Sequence, residues 1–493
     1  MSIPVFLTRQ ILEIEAYAFS QSPPPPLMER AGQAVADLAQ QVIAERGKRV
    51  LVVAGPGNNG GDALVAARHL KNRWFDVRVL FTGNVDKLKA DAAAAHLAWR
   101  ECGGGFLDAL PAGTDWDLAL DGLFGIGLER DLSGRHADIA GALNAAGKSV
   151  VSIDIPSGLH ADTGRVLGIA VRAAHTFTFL GRKSGLYTLD GPDHAGQVHC
   201  DDLGVKPASL PAGHGWLIAD DAIRDVLPPR RNNSHKGLFG DVGIVGGAHG
   251  MVGAALLAGR AALKLGAGRV LVGLLADSPT VDPLQPDLML RPAQSVLSRE
   301  ALACVVAGPG LGQSEAAGHA LAAAVKLNCA LVLDADALNL LAQDPALQKQ
   351  LARRTAPTLL TPHPAEAARL LGAETGQVQS DRIAAALEIA RRFEAAVVLK
   401  GVGSICAFAD GDWRINTSGN PGMASAGMGD VLAGLIGALM AQGADPRIAL
   451  PAAVRLHGLA ADRLVAGGIG PVGLTASETI DAARAVLNTL AVR

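Results

Sequence analysis

The sequence predicts an α/β protein of two domains, each a parallel sheet covered on both faces by helices. Three observations carry that expectation. Apolar runs rich in Val, Ile and Leu alternate with Ala-rich amphipathic segments, the pattern left by parallel strands joined through crossover helices. The alternation occurs in two separate series, and 493 residues exceed what one hydrophobic core usually serves. Glycine contributes 59 residues, about 12% against the usual ~7%, as many tight strand-to-helix turns require.

The first series follows an N-terminal helix and the spacer SPPPPL at 22–27, whose prolines favour a stiff extended run. Its strands are RVLVVA at 49–54, DVRVLF at 76–81, DLALDGLFG from 117 and SVVSIDIP from 149, with helix candidates DALVAARHLKNR and 86–101. The second series reads DVGIVGG, GAALLAGRAALKL, RVLVGLL, LACVVAGPG, ALVLDADALNLL, PTLLTPHP and AAVVLKG. It ends on SICAFADGDWRIN, a hairpin signal around Asp410 and Gly411. The Pro- and Gly-containing stretch KPASLPAGHG, 206–215, separates the series, so the expected domains are 1–215 and 216–493.

Charge and composition exclude several classes. The net charge is −3 with both signs interspersed, and aromatics make up 4%. There is neither a field to draw nucleic acid nor a stacking platform to hold it. The short basic stretch PPRRNNSHKG, 228–237, reads as a solvated linker. Cys102, Cys200, Cys304, Cys329 and Cys406 are odd in number with no C-x-x-C spacing, as expected of reduced thiols in a cytoplasmic protein. The N-terminus has no basic n-region. The run VLAGLIGALMAQGA is shorter than the ~20 residues that span a bilayer, so no membrane partner is expected.

Chemistry concentrates at the ends of predicted strands. GPGNNGGDALVAARHL, 55–70, has the spacing Gly55-x-Gly57-x-x-Gly60 of a dinucleotide-binding turn opening a helix. A hydride-transferring enzyme of that type needs an acidic residue about 20 residues on. Here DVRVLF is followed by Thr82, Gly83 and Asn84, which disfavours that chemistry. ALDGLFGIGLERDLSG puts Asp121 at a strand's carboxyl end, and SIDIPSGLHADTG does the same for Asp154, whose strand Pro156 terminates. The carboxyl ends of parallel strands line the ligand crevice, so Asn59, Asp121, Asp154 and Ser157 are expected to converge. Taken singly, each is equally suited to cap a turn.

The combination GPGNNGGD, DGLFGIGL and DIPSGLHADTG resembles the NAD(P)H-hydrate epimerase family over about residues 8–210. The resemblance implies a Rossmann-like three-layer domain in which Asn58, Asn59, Gly60, Gly61 and Asp62 contact the hydrated dinucleotide. It implies the same for Gly125, Ile126, Gly127 and Leu128, and for Glu129, Arg130 and Asp131. Asn59, Asp121 and Ser157 would ligate potassium, and Asp154 would bind at the reacting ring as the catalytic group. The chain departs from the family at Ala63, where another glycine is usual.

In the second series, GNPGMASAGMGDVLAGLIGAL, 419–439, is a glycine-rich turn opening an apolar helix with Asp430 in its first turn. Its N–H groups and helix dipole form an anion cradle, beside which a carboxylate can accept a hydroxyl proton. A Walker A loop is absent. LKGVGS sets Lys400 at a strand end, and TPHPAE sets His363 and Glu366 between strand and helix. With GGAHGMVGAALLAGRAAL and AGPGLG, these elements resemble the ribokinase-like NAD(P)H-hydrate dehydratase family over about 220–490. Ala254, Gly310, His363 and catalytic Asp430 would then contact the hydrated dinucleotide. Lys400, Gly401, Val402, Gly403, Ser404 and Gly429 would contact the adenine nucleotide. Ala365 stands where the family commonly has glycine.

Epimerase followed by dehydratase in one chain is the order of a fused bifunctional repair enzyme. That resemblance implies ADP or ATP as phosphoryl donor, Mg2+ and K+ as cofactors, small-molecule partners only, and a homo-oligomer. Two other readings share parts of the pattern: a kinase of a vitamin precursor, which would leave a stable phosphorylated product, and a nucleotide-holding module without turnover.

Overall fold

The computed structural model describes residues 3–44, 47–111, 113–207, 210–277 and 279–491. The described residues form two compact units, which divide between His214 and Gly215. Ala208 and Ser209 of the expected linker lie outside the described residues.

The first unit runs β1 (Ile3–Phe6), α1 (Thr8–Phe19), α2 (Leu27–Ile43), β2 (Arg49–Ala54), α3 (Asn58–Asn72), β3 (Asp76–Phe81), α4 (Ala90–Glu101) and β4 (Phe106–Leu107). It continues through β5 (Leu118–Gly122), α5 (Gly134–Ala145), β6 (Ser149–Ile153), β7 (His175–Phe179), β8 (Arg182–Lys183), α6 (Gly191–Ala195) and β9 (Gln197–Asp201). Seven strands form one sheet in the order β4-β3-β2-β5-β6-β7-β9, every pair parallel. Both faces are apolar, and the strand period of two divides them. Val50, Val52 and Ala54 pack with the buried residues of α1 to α4. Leu51 and Val53 pack with Ile139, Ala140 and Leu143 of α5. This is the three-layer arrangement expected from continuous apolar strands.

The second unit begins with β10 (Gly215–Leu217), α7 (Asp221–Arg224), β11 (Asp241–Gly246), α8 (Val252–Lys264), β12 (Arg269–Leu274), β13 (Met289–Pro292), α9 (Ala293–Leu297) and β14 (Cys304–Ala307). Next come α10 (Glu315–Lys326), β15 (Ala330–Leu333), α11 (Asp336–Gln343), α12 (Pro345–Ala352), β16 (Thr358–Leu360), α13 (Pro364–Leu371), α14 (Thr375–Ser380) and α15 (Arg382–Phe393). It closes with β17 (Ala396–Leu399), β18 (Ile405–Ala407), β19 (Trp413–Ile415), α16 (Met428–Ala441), α17 (Pro446–Ala466) and α18 (Ala476–Ala491). Its strands follow the order β13-β12-β11-β14-β15-β16-β17-β18-β19-β10. Pairing is parallel from β13 to β17, and β18 and β19 form the expected antiparallel hairpin. Helix α16 is apolar around most of its circumference because it is buried in the core, against α8 and the strand residues Val242, Val306 and Val332.

Two details differ from the sequence reading. The helix expected over 86–101 begins at Ala90, because Asn84 accepts the Asp86 N–H at 3.0 Å and closes a separate short turn at Val85–Lys87. Strands such as β7 (HTFTF), β9 (QVHCD) and β13 (MLRP) carry too many polar or too few residues to register as apolar runs. Among the described residues, no helix is long and apolar enough to cross a membrane.

Candidate functional site

Each unit gathers its polar residues at the carboxyl ends of its central strands. In the first, β2 ends at Ala54 and the chain turns through Gly55, Gly57 and Gly60 into α3. These glycines do different work. A Cβ on Gly55 would stand 1.8 Å from Leu123 O, and one on Gly60 would stand 2.0 Å from Gly55 O, so both are fixed by backbone packing. A Cβ on Gly57 would meet nothing within 4 Å. Its bareness faces open space, where a ligand's pyrophosphate could approach. Gly60→Ala should therefore lower the melting temperature of this unit, whereas Gly57→Ala should leave it in place and raise KM for the dinucleotide. Calorimetry and initial rates on both variants check the pair.

Ala63, the departure from the family pattern, is fully buried against Gly122, where an added Cβ would lie 2.5 Å from the alanine methyl. The Ala63 methyl thus fits because position 122 on β5 is itself a glycine.

Asn59 is 8% exposed, and neither polar atom of its side chain finds a hydrogen-bond partner. Orphaned buried amides are costly, which marks this one as waiting for a ligand. Asp121 is fully buried. Its carboxylate accepts from Ser157 Oγ at 2.6 Å, Ser157 N at 2.9 Å and Ser152 Oγ at 2.8 Å. Burial pushes its pKa up and these Ser157 and Ser152 bonds oppose the rise. Ser157 Oγ also accepts from Phe124 N at 3.0 Å, which ties the DIPSG turn to the loop after β5.

Asp154 follows β6 directly with φ of +65°, a left-handed conformation that non-glycine residues adopt at a cost. Its Oδ2 lies 3.4 Å from where a Cβ on Gly125 would sit, and the Asn59 side chain lies at the same distance from that point. Gly125, Asn59 and Asp154 thus share one small space. Asp62, on α3, has its pKa pushed well above the usual carboxylate range by burial, then by the charges of Asp154 and Glu15.

The loop after Gly125 divides. Leu128 belongs to the apolar core beneath α5, and its N–H donates to Gly125 O at 3.3 Å. Ile126 is partly buried, whereas Gly127, Glu129, Arg130 and Asp131 are exposed at the rim. Asn58 opens α3, and Gly61 is buried with Met28 beside it.

In the second unit, five adjacent strands end at one polar cluster, four of them in predicted motifs. Gly246 ends β11, Gly308–Gly312 follow β14, Asp334 follows β15, His363 follows β16 by way of Thr361, and Lys400 follows β17. Gly310, at φ +58°, lies against the start of α8, where its Cβ would come within 3.2 Å of the Ala254 methyl. Lys400 Nζ donates to Asp334 Oδ1 at 2.7 Å and stands 4.0 Å from Glu366 Oε2. Burial opposes its charge, but Asp334 and Glu366 outweigh that and raise its pKa. Thr361 Oγ1 donates to the same Asp334 oxygen at 2.6 Å. His363 caps α13, its Nδ1 accepting from Ala365 N at 3.1 Å and Glu366 N at 3.3 Å. The ring is a turn cap and still half-exposed toward the same cluster.

Gly427, at φ +90°, starts α16, and a Cβ on Gly429 would lie 3.1 Å from Lys400 Nζ. The ammonium therefore sits at the helix N-terminus beside Asp430. Burial, and secondarily the negative charge of Asp334, pushes the Asp430 pKa up to about 7. Gly401–Ser404 form the β17–β18 turn, closed by Ser404 Oγ donating to Gly401 O at 2.9 Å. The nearly buried Arg382 underpins it from α15 with long bonds to the Leu399 and Lys400 carbonyls. Val402 is exposed on this turn.

Sequence reasoning missed Asp334, Thr361 and Arg382 here, and Lys183 and Glu15 in the first unit. Asp334 had a signal: ALVLDAD puts a carboxylate at a strand's carboxyl end, just as LALD and VSID do. Lys183 follows LGR and carried none.

Fold and sites together define an α/β enzyme with two centres, one for a dinucleotide and one built for phosphoryl chemistry at a helix N-terminus. Family models match both halves: residues 25–185 match the YjeF-related protein N-terminus, and residues 242–481 match NAD(P)H-hydrate dehydratase. The bifunctional NAD(P)H-hydrate repair enzyme Nnr of Coxiella burnetii is 36% identical over 98% of this chain and 99% of its own. The protein of the same description from Escherichia coli is 38% identical over 94% and 89%. Among solved structures, a ribokinase-like superfamily protein of Enterococcus faecalis aligns with a TM-score of 0.50 at 26% identity. It covers 58% of this chain and 99% of that one. The chain belongs to the family of bifunctional NAD(P)H-hydrate repair enzymes.

Proposed function

We propose that the protein restores hydrated NADH and NADPH. The first unit interconverts the R and S epimers, and the second dehydrates the S epimer with ADP or ATP as phosphoryl donor. The observation that carries this reading is the half-buried Asp430 at the N-terminus of α16, beside Lys400 and with its pKa at about 7.

Hydration leaves a hydroxyl at C6 of the nicotinamide ring, and hydroxide is a poor leaving group. Asp430 takes the proton of that hydroxyl as its oxygen attacks the terminal phosphoryl group, giving a phosphate ester and AMP from ADP, or ADP from ATP. The ring nitrogen lone pair then expels phosphate, and loss of the C5 proton restores the double bond. The N–H groups of α16 and the Lys400 ammonium stabilise the charge that develops on the transferred group. In the first unit, Asp154 moves the proton during reversible ring opening, or during loss and return of water at C6, and so exchanges the epimers.

Two cations accompany these centres. Potassium suits the first: the orphaned amide oxygen of Asn59, with the Asp121 carboxylate and Ser157 Oγ, offers hard neutral and anionic oxygens. There it would supply a fixed positive charge beside the dinucleotide. Asn59→Ala should abolish the stimulation of epimerisation by KCl over NaCl, which titration of both salts measures. Among the described residues, no three His, Cys, Asp or Glu side chains form a metal-holding group. Mg2+ is commonly held by nucleotide phosphates with one or two carboxylates. Asp334 and Glu366 are oxygens of that kind in the second unit, and the ion would neutralise phosphate charge.

The five free cysteines suit a reducing compartment, and we assign the protein to the cytoplasm as a homo-oligomer, a state that light scattering measures. The decisive assay supplies mixed R and S hydrate of NADH with K+ and Mg2+, and ADP or ATP separately. Full recovery of the nicotinamide absorbance is expected with at least one donor. Recovery that stops at the S fraction would mean an inactive first unit, and a stable phosphorylated product would favour a kinase.

A further inference from the structure

We propose that Lys183 is the positioning residue of the epimerase centre: its buried ammonium pins one oxygen of Asp154 and thereby presents the other to the substrate loop. This inference rests on the reading of Asp154 as the proton-transferring group.

Lys183 ends the two-residue strand β8, which is held in register by β1 through the pair Phe6↔Lys183. It is 1% exposed, an unusual state for a lysine. An ammonium has three donors, and three acceptors are in place: Asp154 Oδ1, Thr178 Oγ1 at 2.9 Å and Phe179 O at 2.7 Å. The group is therefore fixed in orientation as well as in position.

The same arrangement saturates Asp154 Oδ1. Besides Lys183 it receives Thr178 Oγ1 at 3.2 Å and Phe179 N at 3.4 Å. All of these bonds fall on Oδ1, while Oδ2 is the oxygen facing Gly125 and the Asn59 side chain. The backbone is set independently, with Asp154 N donating to Phe177 O at 2.7 Å. A carboxylate held by one oxygen on a fixed backbone offers the other in a single direction, which is what a proton-transfer group requires.

The electrostatics agree. Glu15 on α1, Asp62 on α3 and Cys200 on β9 all feel the negative charge of Asp154, and in each case Lys183 opposes it. At Asp62, Lys183 is the cation that opposes the charges of Asp154 and Glu15. Stability does not by itself call for the pair, since buried ion pairs are often replaceable by apolar residues without loss.

The test uses full-length Lys183→Met and Thr178→Val proteins. Pure R hydrate of NADH is the substrate, and formation of the S epimer is followed without nucleotide. For Lys183→Met the expected result is a fall in kcat of about tenfold or more with KM within about twofold of wild type. Thr178→Val, which removes one of the three anchors, should lower kcat by about threefold at unchanged KM. Dehydration of pure S hydrate with ADP and Mg2+ should be unchanged in both. A folded Lys183→Met protein with wild-type kcat overturns the proposal, as does a rise in KM alone. Should Lys183→Met fail to fold, unchanged kcat in Thr178→Val overturns it instead. Asp154→Asn separates the two readings: if it retains epimerisation, the role of Asp154 falls. If it loses epimerisation while Lys183→Met keeps it, only the Lys183 assignment falls.

Discussion

Asp430→Ala should abolish dehydration while leaving exchange between R and S hydrates intact. Loss of a general base costs about 10²–10⁴ in rate. Epimerisation should survive because the residues proposed for it follow β2, β5 and β6 or lie in β8 of the other unit. The wild-type protein supplies a second signature. With the Asp430 pKa at about 7, the dehydration rate should fall as pH drops through that value, because the base becomes protonated.

Stability moves the opposite way. A carboxyl whose folded pKa is raised weakens the fold progressively as pH rises from about 4 to about 7, the window in which the half-buried group must ionise. Removing Asp430 should therefore raise the melting temperature of its unit more at pH 8 than at pH 5. Single-turnover rates across pH, with calorimetry at both values, check these outcomes. Phosphate release that persists in the variant would sink the base assignment.

What the sequence disclosed followed from local pattern. Continuous apolar runs such as RVLVVA and DVGIVGG identify buried parallel strands because both faces are covered. In such a sheet the residues just past a strand's carboxyl end are drawn into the crevice. That logic located Asp121, Asp154, His363 and Lys400 without knowledge of the fold. It could not supply their partners. Lys400 stands in the sequence only as a residue at a strand end, and the parallel pairing of β15, β16 and β17 brings it to Asp334, 66 residues earlier. The Lys183–Asp154 contact spans 29 residues and depends on β7 and β8, two strands too polar or too short to register as apolar runs.

Asp154→Asn should stop epimerisation and leave dehydration of the S hydrate untouched, so that a mixed sample recovers only to its initial S fraction. The substitution is nearly isosteric, and asparagine is among the residues that tolerate the left-handed conformation at φ +65°. The turn should therefore persist, and with it the approach of Gly125 to Asn59. What is lost is the charge and the proton-accepting oxygen. The expected effect is a fall of about 10²-fold or more in epimerisation kcat, the usual contribution of a positioned proton-transfer group. A secondary cost falls on stability, because the almost fully buried Lys183 ammonium then faces a neutral amide and one buried charge is left without its counter-ion. The first unit should melt at a lower temperature than in the wild-type protein, and that shift should be absent from Asp154→Asn combined with Lys183→Met, where both charges are gone. Should the single variant still carry a mixed sample to complete recovery at the wild-type rate, proton transfer would have to be reassigned, and Asp62, whose pKa burial and the Asp154 charge push well above the usual carboxylate range, would be the next residue to replace.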